Sequence, residues 1–245
     1  MRERWGGALS FTEIRAAFAQ KSTEPTVRNH MAIPPISTYT IPEIHEVPES
    51  KVTWRLDPRR SALLVHDMQN YFIDAYDVRA EPMSTAMANM VRIRELCSEA
   101  GIPVIYTMQP GDQHPSRRGI LADFWGPGLT SGRDTEVVEP LAPRDGDIQV
   151  TKWRYSAFQR TDLRQLLGHH GRDQLIVTGV YTHMGCMLSA AEAFMSDVQP
   201  FLVSDATADF SRDEHLMALT YAAKRCGSVT TTDALVSALS PLEVG

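Results

Sequence analysis

No stretch of this 245-residue chain approaches the roughly 20 consecutive apolar residues of a membrane-spanning helix. Its first residues also lack the apolar segment of a secretory signal. Cysteine is scarce. The three present, at 97, 186 and 226, are an odd number and lie too far apart for a disulfide framework or a zinc-ligand spacing, which points to a reducing cytoplasm. There is no concentrated Lys/Arg run, and the net charge is −6, so nucleic acid is not an expected partner. A local basic pocket for an anionic small molecule remains compatible with that charge. Internal repeats and low-complexity tracts are absent. What is present is 43% apolar content, enough for one sizeable α/β core or two small ones.

Beyond about residue 60, apolar runs alternate with helical periodicity. Strands are predicted near 61–67, 102–107, 148–152, 174–180, 200–205 and 227–232. Helices are predicted near 83–100, 161–170, 184–197, 211–226 and 233–239. Met83, Met87, Met90 and Val91 share one face of the first, which stops before Gly101, and Ser211-Arg-Asp-Glu214 reads as a capping box. Such alternation implies an α/β fold: one doubly wound, mostly parallel sheet with helices on both faces, a Rossmann-like three-layer domain over 59–240. The Gly- and Pro-rich segment 108–147 is expected to be a loop with short helical turns at the sheet's active edge. Residues 31–58, rich in proline, read as an extended arm over the domain. Residues 1–30 carry a faint helical pattern and are expected to be disordered or an extension upstream of a natural start at Met31.

Three strand ends carry chemistry. Ser61-Ala-Leu-Leu-Val-His66-Asp67 is an apolar run ending in a carboxylate, placed where ligands bind in open α/β sheets; the alternative for Asp67 is a helix N-cap. Ile148-Gln-Val-Thr-Lys152-Trp153-Arg154-Tyr155 delivers a lysine among aromatics. Gln174 to Cys186 is an apolar strand, a glycine-bearing turn and a cysteine opening a helix. An acid, a lysine and a cysteine would converge on one pocket. Otherwise Lys152 is a snorkelling surface residue and Cys186 ordinary small packing.

Val65-His-Asp-Met-Gln69, Trp125-Gly-Pro-Gly128, Thr151-Lys-Trp-Arg-Tyr-Ser-Ala-Phe158, Gly179-Val-Tyr-Thr-His183, Val198-Gln-Pro-Phe201 and Asp205-Ala-Thr-Ala-Asp-Phe-Ser211 occur in one order. With that spacing, about residues 31–235 resemble the isochorismatases of the cysteine-hydrolase-like superfamily. The resemblance is to the isochorismatase half of siderophore-pathway enzymes making 2,3-dihydroxybenzoate, and also to phenazine-pathway hydrolases of 2-amino-2-deoxyisochorismate. It implies hydrolysis of a pyruvyl vinyl ether, with release of pyruvate. Asp67 would protonate the terminal methylene, so it must hold a proton when substrate binds. Phe72, Trp125 and Tyr155 would favour the neutral acid, and Lys152 the carboxylate. Arg118 matches a substrate-carboxylate arginine of the family, its alternative being a solvated loop arginine. Gln109, Tyr181 and the Gly179 backbone would line the rest, while Trp125 and Tyr155 could equally be core aromatics. No cofactor is implied. The expected ligand is an isochorismate-like dianion, and the expected assembly a homodimer or larger homo-oligomer.

Cys186 occupies the position of the nucleophile in amide-hydrolysing relatives such as nicotinamidases. A helix N-terminus would favour its thiolate. In that rival reading Asp67 is the base, Lys152 its partner, and backbone N–H groups near Cys186 an oxyanion hole. The Trp125 and Trp153 blocks favour the vinyl-ether branch, in which Cys186 has no required step. A further rival is a scaffold without activity, against which Asp67, Lys152 and Arg118 together argue. Asp112-Gln-His114 resembles the start of the nicotinamidase metal motif, but Ser116 to Gly119 supply no further histidine, so no metal is expected. His66 and His183 are expected to be structural. Siderophore relatives often carry an aryl carrier domain, for which the chain after the last predicted helix leaves no room.

Overall fold

The computed structural model describes residues 33–239. The expectations for residues 1–30 and for a start at Met31 lie outside the described residues. Six strands form one all-parallel sheet: β1 (Ser61–His66), β2 (Val104–Met108), β3 (Ile148–Thr151), β4 (Gln174–Val180), β5 (Gln199–Ala208) and β6 (Ser228–Thr230). Their order is β3-β2-β1-β4-β5-β6. The eight α-helices of the described residues are α1 (Asn70–Ile73), α2 (Met83–Glu99), α3 (Pro115–Arg118), α4 (Leu121–Trp125), α5 (Leu163–His169), α6 (Met187–Met195), α7 (Arg212–Arg225) and α8 (Thr232–Leu239). None is long and apolar enough to cross a membrane.

β1 and β4 are buried at every position, as continuous apolar runs demand when helices cover both faces. Alternate residues divide the core into two layers. Leu63, Val65 and Ile176 pack with α2 and α8 on one face, while Ala62, Leu64 and Val177 pack with α5, α6 and α7 on the other. The chain winds outward in both directions from the β1/β4 pair, so the crevice at their carboxyl ends is the topological switch point.

Two elements differ from the sequence expectation. β5 runs to Ala208 rather than 205, because after a register shift Thr207 and Ala208 pair with Gly179 and Val180. Polar Ser204 and Asp205 hide that continuation in the sequence. The helix expected from 184 opens with a π-helical turn over Thr182–Cys186, and α6 begins only at Met187. At α7, the Ser211 hydroxyl accepts the Glu214 N–H and donates to the Glu214 carboxylate. It caps the helix, as the sequence motif implies.

Residues 33–58 cross the molecule with only a short 3-10 turn at Ile44–Glu46. Ile33, Ile36, Ile41 and Val47 bury their side chains. Main-chain bonds from Ile36 to Ala75, Tyr39 to Glu81 and Lys51 to Ala223 fasten the segment across distant elements.

Candidate active site

A cleft of about 540 Å³, counted to its open mouth, lies at the switch point. Its floor comes from strand ends: Asp67 follows β1, Gln109 follows β2, Lys152 follows β3 and Tyr181 follows β4. Its wall comes from the 115–129 loop, with Arg118, Leu121, Trp125 and Leu129.

Asp67 is 4% exposed and adopts a φ of 50°, which turns the chain sharply out of β1. Three donors converge on its carboxylate. Oδ1 accepts the Thr107 hydroxyl at 3.0 Å. Oδ2 accepts Lys152 Nζ at 2.8 Å and Gln109 Nε2 at 3.4 Å. Lys152 is 1% exposed, and its ammonium fills its other two donor positions with the carbonyls of Arg154 at 2.7 Å and Tyr155 at 3.2 Å. The snorkelling alternative for Lys152 is thereby excluded. The N-cap alternative for Asp67 also fails, since Gln69 rather than Asp67 precedes α1.

Arg118 is buried too, at 4% exposure. Its Nε donates to the Gly126 carbonyl at 3.1 Å and its Nη1 to Gln109 Oε1 at 3.2 Å. Burial lowers its pKa, and it has no carboxylate partner among the described residues. Gly128, with φ 88°, lies so close that a Cβ there would sit 2.9 Å from the guanidinium carbon. The glycine of the Trp125-Gly-Pro-Gly128 block thus makes room for this side chain.

Aromatics close the cleft. Trp125 Nε1 donates to the Tyr155 hydroxyl at 2.6 Å. Tyr181 donates from its hydroxyl to the Phe72 carbonyl at 3.2 Å, and burial holds its phenol far above its ordinary pKa. Phe210 stands 4.3 Å from Tyr181 between ring centroids and 6.0 Å from Trp125. Phe210, Tyr71, Met184 and Ile33 line the cleft without having been singled out from sequence. Phe210 lay inside the Asp205–Ser211 block. Ile33 carries no sequence signal at all, because the arm's register against the sheet edge is a tertiary matter. Thr107, the hydroxyl on Asp67, was hidden within the second predicted strand.

Two expectations are corrected. Gly179 does not line the cleft; with φ 112° it lies against β1, where a Cβ would meet the His66 carbonyl oxygen at 2.2 Å. Its smallness serves strand packing. Cys186 also lies outside the lining and is fully buried. It ends the π-helical turn and stands at the N-cap of α6, as the sequence implies, but its own N–H is committed to the Tyr181 carbonyl. Burial pushes its thiol well above the ordinary value, with Asp209 and Asp67 adding to that, so a thiolate is disfavoured. The backbone N–H groups of Met184 and Cys186 both point to Tyr181 O, which leaves neither for an oxyanion hole.

The histidines are held in place. His66 faces the carbonyls of Val180 at 2.8 Å and Tyr155 at 3.2 Å, and burial lowers its pKa. Its ring lies directly against Gly185. His183 is clamped by Asp209 through both its backbone N–H and its ring Nδ1, each at 2.6 Å. Burial lowers the His183 pKa, but the Asp209 bond and charge outweigh it and the net direction is upward. His183, Asp209 and Glu214 bring ligand-type atoms within 4.8 Å of one another; His183 Nδ1 is bonded to Asp209 Oδ1, and Glu214 Oε2 accepts the Ser211 hydroxyl. Asp112 and His114 diverge into local bonds with Ser131 and Ser116.

The family model described as "Isochorismatase domain" matches residues 61–234. The chain is 51% identical over 210 residues to "Isochorismatase" of Bacillus subtilis (strain 168), covering 85% of this chain and 67% of that one. It is 49% identical over 210 residues to "Phenazine biosynthesis protein PhzD" of Pseudomonas fluorescens, covering 83% and 98%. Among solved structures, a cysteine hydrolase from Pseudomonas syringae pv. phaseolicola 1448A superposes with a TM-score of 0.64 at 27% identity, over 78% of this chain and 97% of that one. The family match spans the strand ends that carry the cleft, and the chain belongs to the isochorismatase family of hydrolases.

Proposed function

We propose that this enzyme hydrolyses the vinyl ether of isochorismate, giving pyruvate and 2,3-dihydro-2,3-dihydroxybenzoate, within the biosynthesis of a siderophore or another secondary metabolite. One observation carries the reading. Arg118, a buried cation with only neutral acceptors, faces the same cleft as Asp67 and is linked to it through Gln109. A buried charge without a counter-ion is costly, so the cleft is built to receive an anion. A guanidinium fork suits a carboxylate.

Asp67 is the general acid. Its carboxyl proton passes to the terminal methylene of the pyruvyl group, which becomes a methyl, and an oxocarbenium ion forms at the ether carbon. Water adds to that carbon and returns a proton to Asp67. The hemiketal hydroxyl then gives up its proton as its C=O forms, the bond to the ring oxygen breaks and that oxygen takes up a proton, which releases pyruvate and the ring diol. Positioned proton transfer of this kind contributes roughly 10²- to 10⁴-fold. Lys152 fixes the carboxyl through Oδ2 and adds positive charge where a dianion must sit. Cys186, buried outside the cleft, takes no part.

The near-equal identity to the phenazine protein favours a second reading, in which the ring carries an amino group and the substrate is 2-amino-2-deoxyisochorismate. Pyruvate release from the two compounds, side by side with nicotinamide as control, separates the readings. Faster turnover of isochorismate supports the first and of the amino compound the second. Ammonia from nicotinamide without pyruvate overturns both. Asp67→Asn is expected to lose at least roughly 100-fold in kcat; retention of most of the turnover sinks the general-acid role.

A further inference from the structure

Gln69 lies two residues beyond Asp67, is fully buried and does not line the cleft. Its side-chain amide grips one residue of the neighbouring strand end from both sides. Oε1 accepts the Gln109 backbone N–H at 2.7 Å, and Nε2 donates to the Gln109 carbonyl at 2.9 Å. The second hydrogen of Nε2 reaches the Thr135 carbonyl at 2.9 Å, and the Gln69 backbone bridges to Val137 in the same loop. Every donor of this amide is used, and a flipped amide would set an NH₂ against an N–H and an oxygen against two carbonyls.

What the amide grips is the residue that joins the two ends of the site. Gln109 Oε1 accepts Arg118 Nη1 at 3.2 Å, while its Nε2 donates to Asp67 Oδ2 at 3.4 Å. A guanidinium has only donors to offer, so it pins Oε1, and Nε2 has no choice but the carboxylate side. The path runs from Gln69 to the Gln109 backbone, and from the Gln109 amide to both Asp67 and Arg118.

We propose that Gln69 is a positioning residue, which sets through Gln109 the distance and orientation between the acid and the carboxylate-binding arginine. This rests on the roles given to Asp67 and Arg118 above. A misplacement near 1 Å costs on the order of 100-fold in rate, and only a side chain locked on all its bonds holds tolerances that tight. The Asp67–Met68–Gln69 spacing serves this directly: the segment that carries the acid also carries the clamp.

The test is a double-mutant cycle on pyruvate release, with Gln69→Glu, Gln109→Ala and the double variant. Rates are expressed per folded molecule from thermal melts. Gln69→Glu keeps the shape and the acceptor but loses both donors. It is expected to lower kcat/KM by about 10- to 100-fold, through both kcat and KM, because the acid and the anion site lose their common support. In the Gln109→Ala background it should cost less than about 2-fold more. Gln69→Leu should behave as Gln69→Glu does, and Gln69→Asn should not rescue, being one methylene too short. Additive losses, or a lowered melting temperature with kcat and KM unchanged per folded molecule, overturn the proposal while leaving the vinyl-ether reading standing. Wild-type protein that releases no pyruvate from either substrate overturns that reading, and this inference with it.

Discussion

Arg118 shows how much one residue's surroundings decide. Its fork is fixed by the Gly126 carbonyl and Gln109, and its face lies against Gly128. Gly128→Ala would place a methyl 2.9 Å from the guanidinium carbon at a φ of 88°, where an L side chain is already strained. Steady-state kinetics of that variant should show KM raised by roughly 10-fold, with kcat changed less, since a displaced anion site weakens binding before it touches the proton transfer. An unchanged KM would mean that Arg118 does not hold the substrate carboxylate. Cys186 provides the opposite case. Cys186→Ala should keep kcat within about 3-fold, while the melting temperature falls because a buried side chain has been truncated. A loss of several hundredfold in kcat would restore the cysteine chemistry that burial argues against.

At the scale of elements, two glycines decide how closely β1, β4 and the π-helical turn approach. A Cβ at Gly185 would lie 2.0 Å from the His66 ring, and one at Gly179 would lie 2.2 Å from the His66 backbone oxygen. Either contact is far inside van der Waals range and neither neighbour can retreat, because His66 is held by Val180 and Tyr155. Gly185→Ala should therefore destabilise the fold by about 3 kcal/mol or more, read as a lower denaturation midpoint. A variant as stable as the parent would show that the ring has room to rotate. The strands and most helices were legible because an apolar run flanked by polar turns leaves few alternatives in a doubly wound sheet. The later start of α6 and the extension of β5 were not, since a π-helical turn and a register shift answer to packing across the switch point rather than to local pattern.

At the scale of the whole molecule, the N-terminal segment is tied to the end of β5 and to α7 through a partly buried relay. The Asp209 N–H donates to the Tyr39 hydroxyl at 2.7 Å, and that hydroxyl donates to His215 Nδ1 at 3.1 Å. His215 Nε2 faces the Ser204 carbonyl, also at 3.1 Å, so the ring is neutral and fully engaged. Burial pushes its pKa down to about 3. The unfolded chain takes up this proton near pH 6.5, while the folded protein refuses it until about pH 3. The unfolded state binds more protons across that window, so stability is fully present above about pH 6.5 and lost as pH falls toward 3. One such proton gives a slope of up to about 1.4 kcal/mol per pH unit. Denaturation midpoints measured across the window should flatten for His215→Gln by that one-proton slope. An identical slope in both proteins would place the acid sensitivity elsewhere. His183 runs the other way. Its net upward shift, in which the Asp209 bond and charge outweigh burial, means that the stabilisation His183 contributes is present below about pH 6.5 and lost as pH rises through the shifted value.

The sequence by itself determined the sheet and the placement of Asp67, Gln109, Lys152 and Tyr181 at its carboxyl edge. Strand-length apolar runs in a parallel sheet can be buried in essentially one way, and whatever follows them must line the crevice. The family resemblance also pointed to the loop arginine Arg118, and its blocks to Trp125, Tyr155 and Tyr181. Only the tertiary structure decided that Arg118 is buried without a carboxylate partner among the described residues, that Gln69 bonds Gln109 and Thr107 bonds Asp67, and that Gly179 and Cys186 stand behind the cleft. Those outcomes depend on distances between segments that are remote along the chain. A cysteine after a strand reads alike in sequence whether its thiol opens on a pocket or is sealed behind one, and sealing is what raises its pKa.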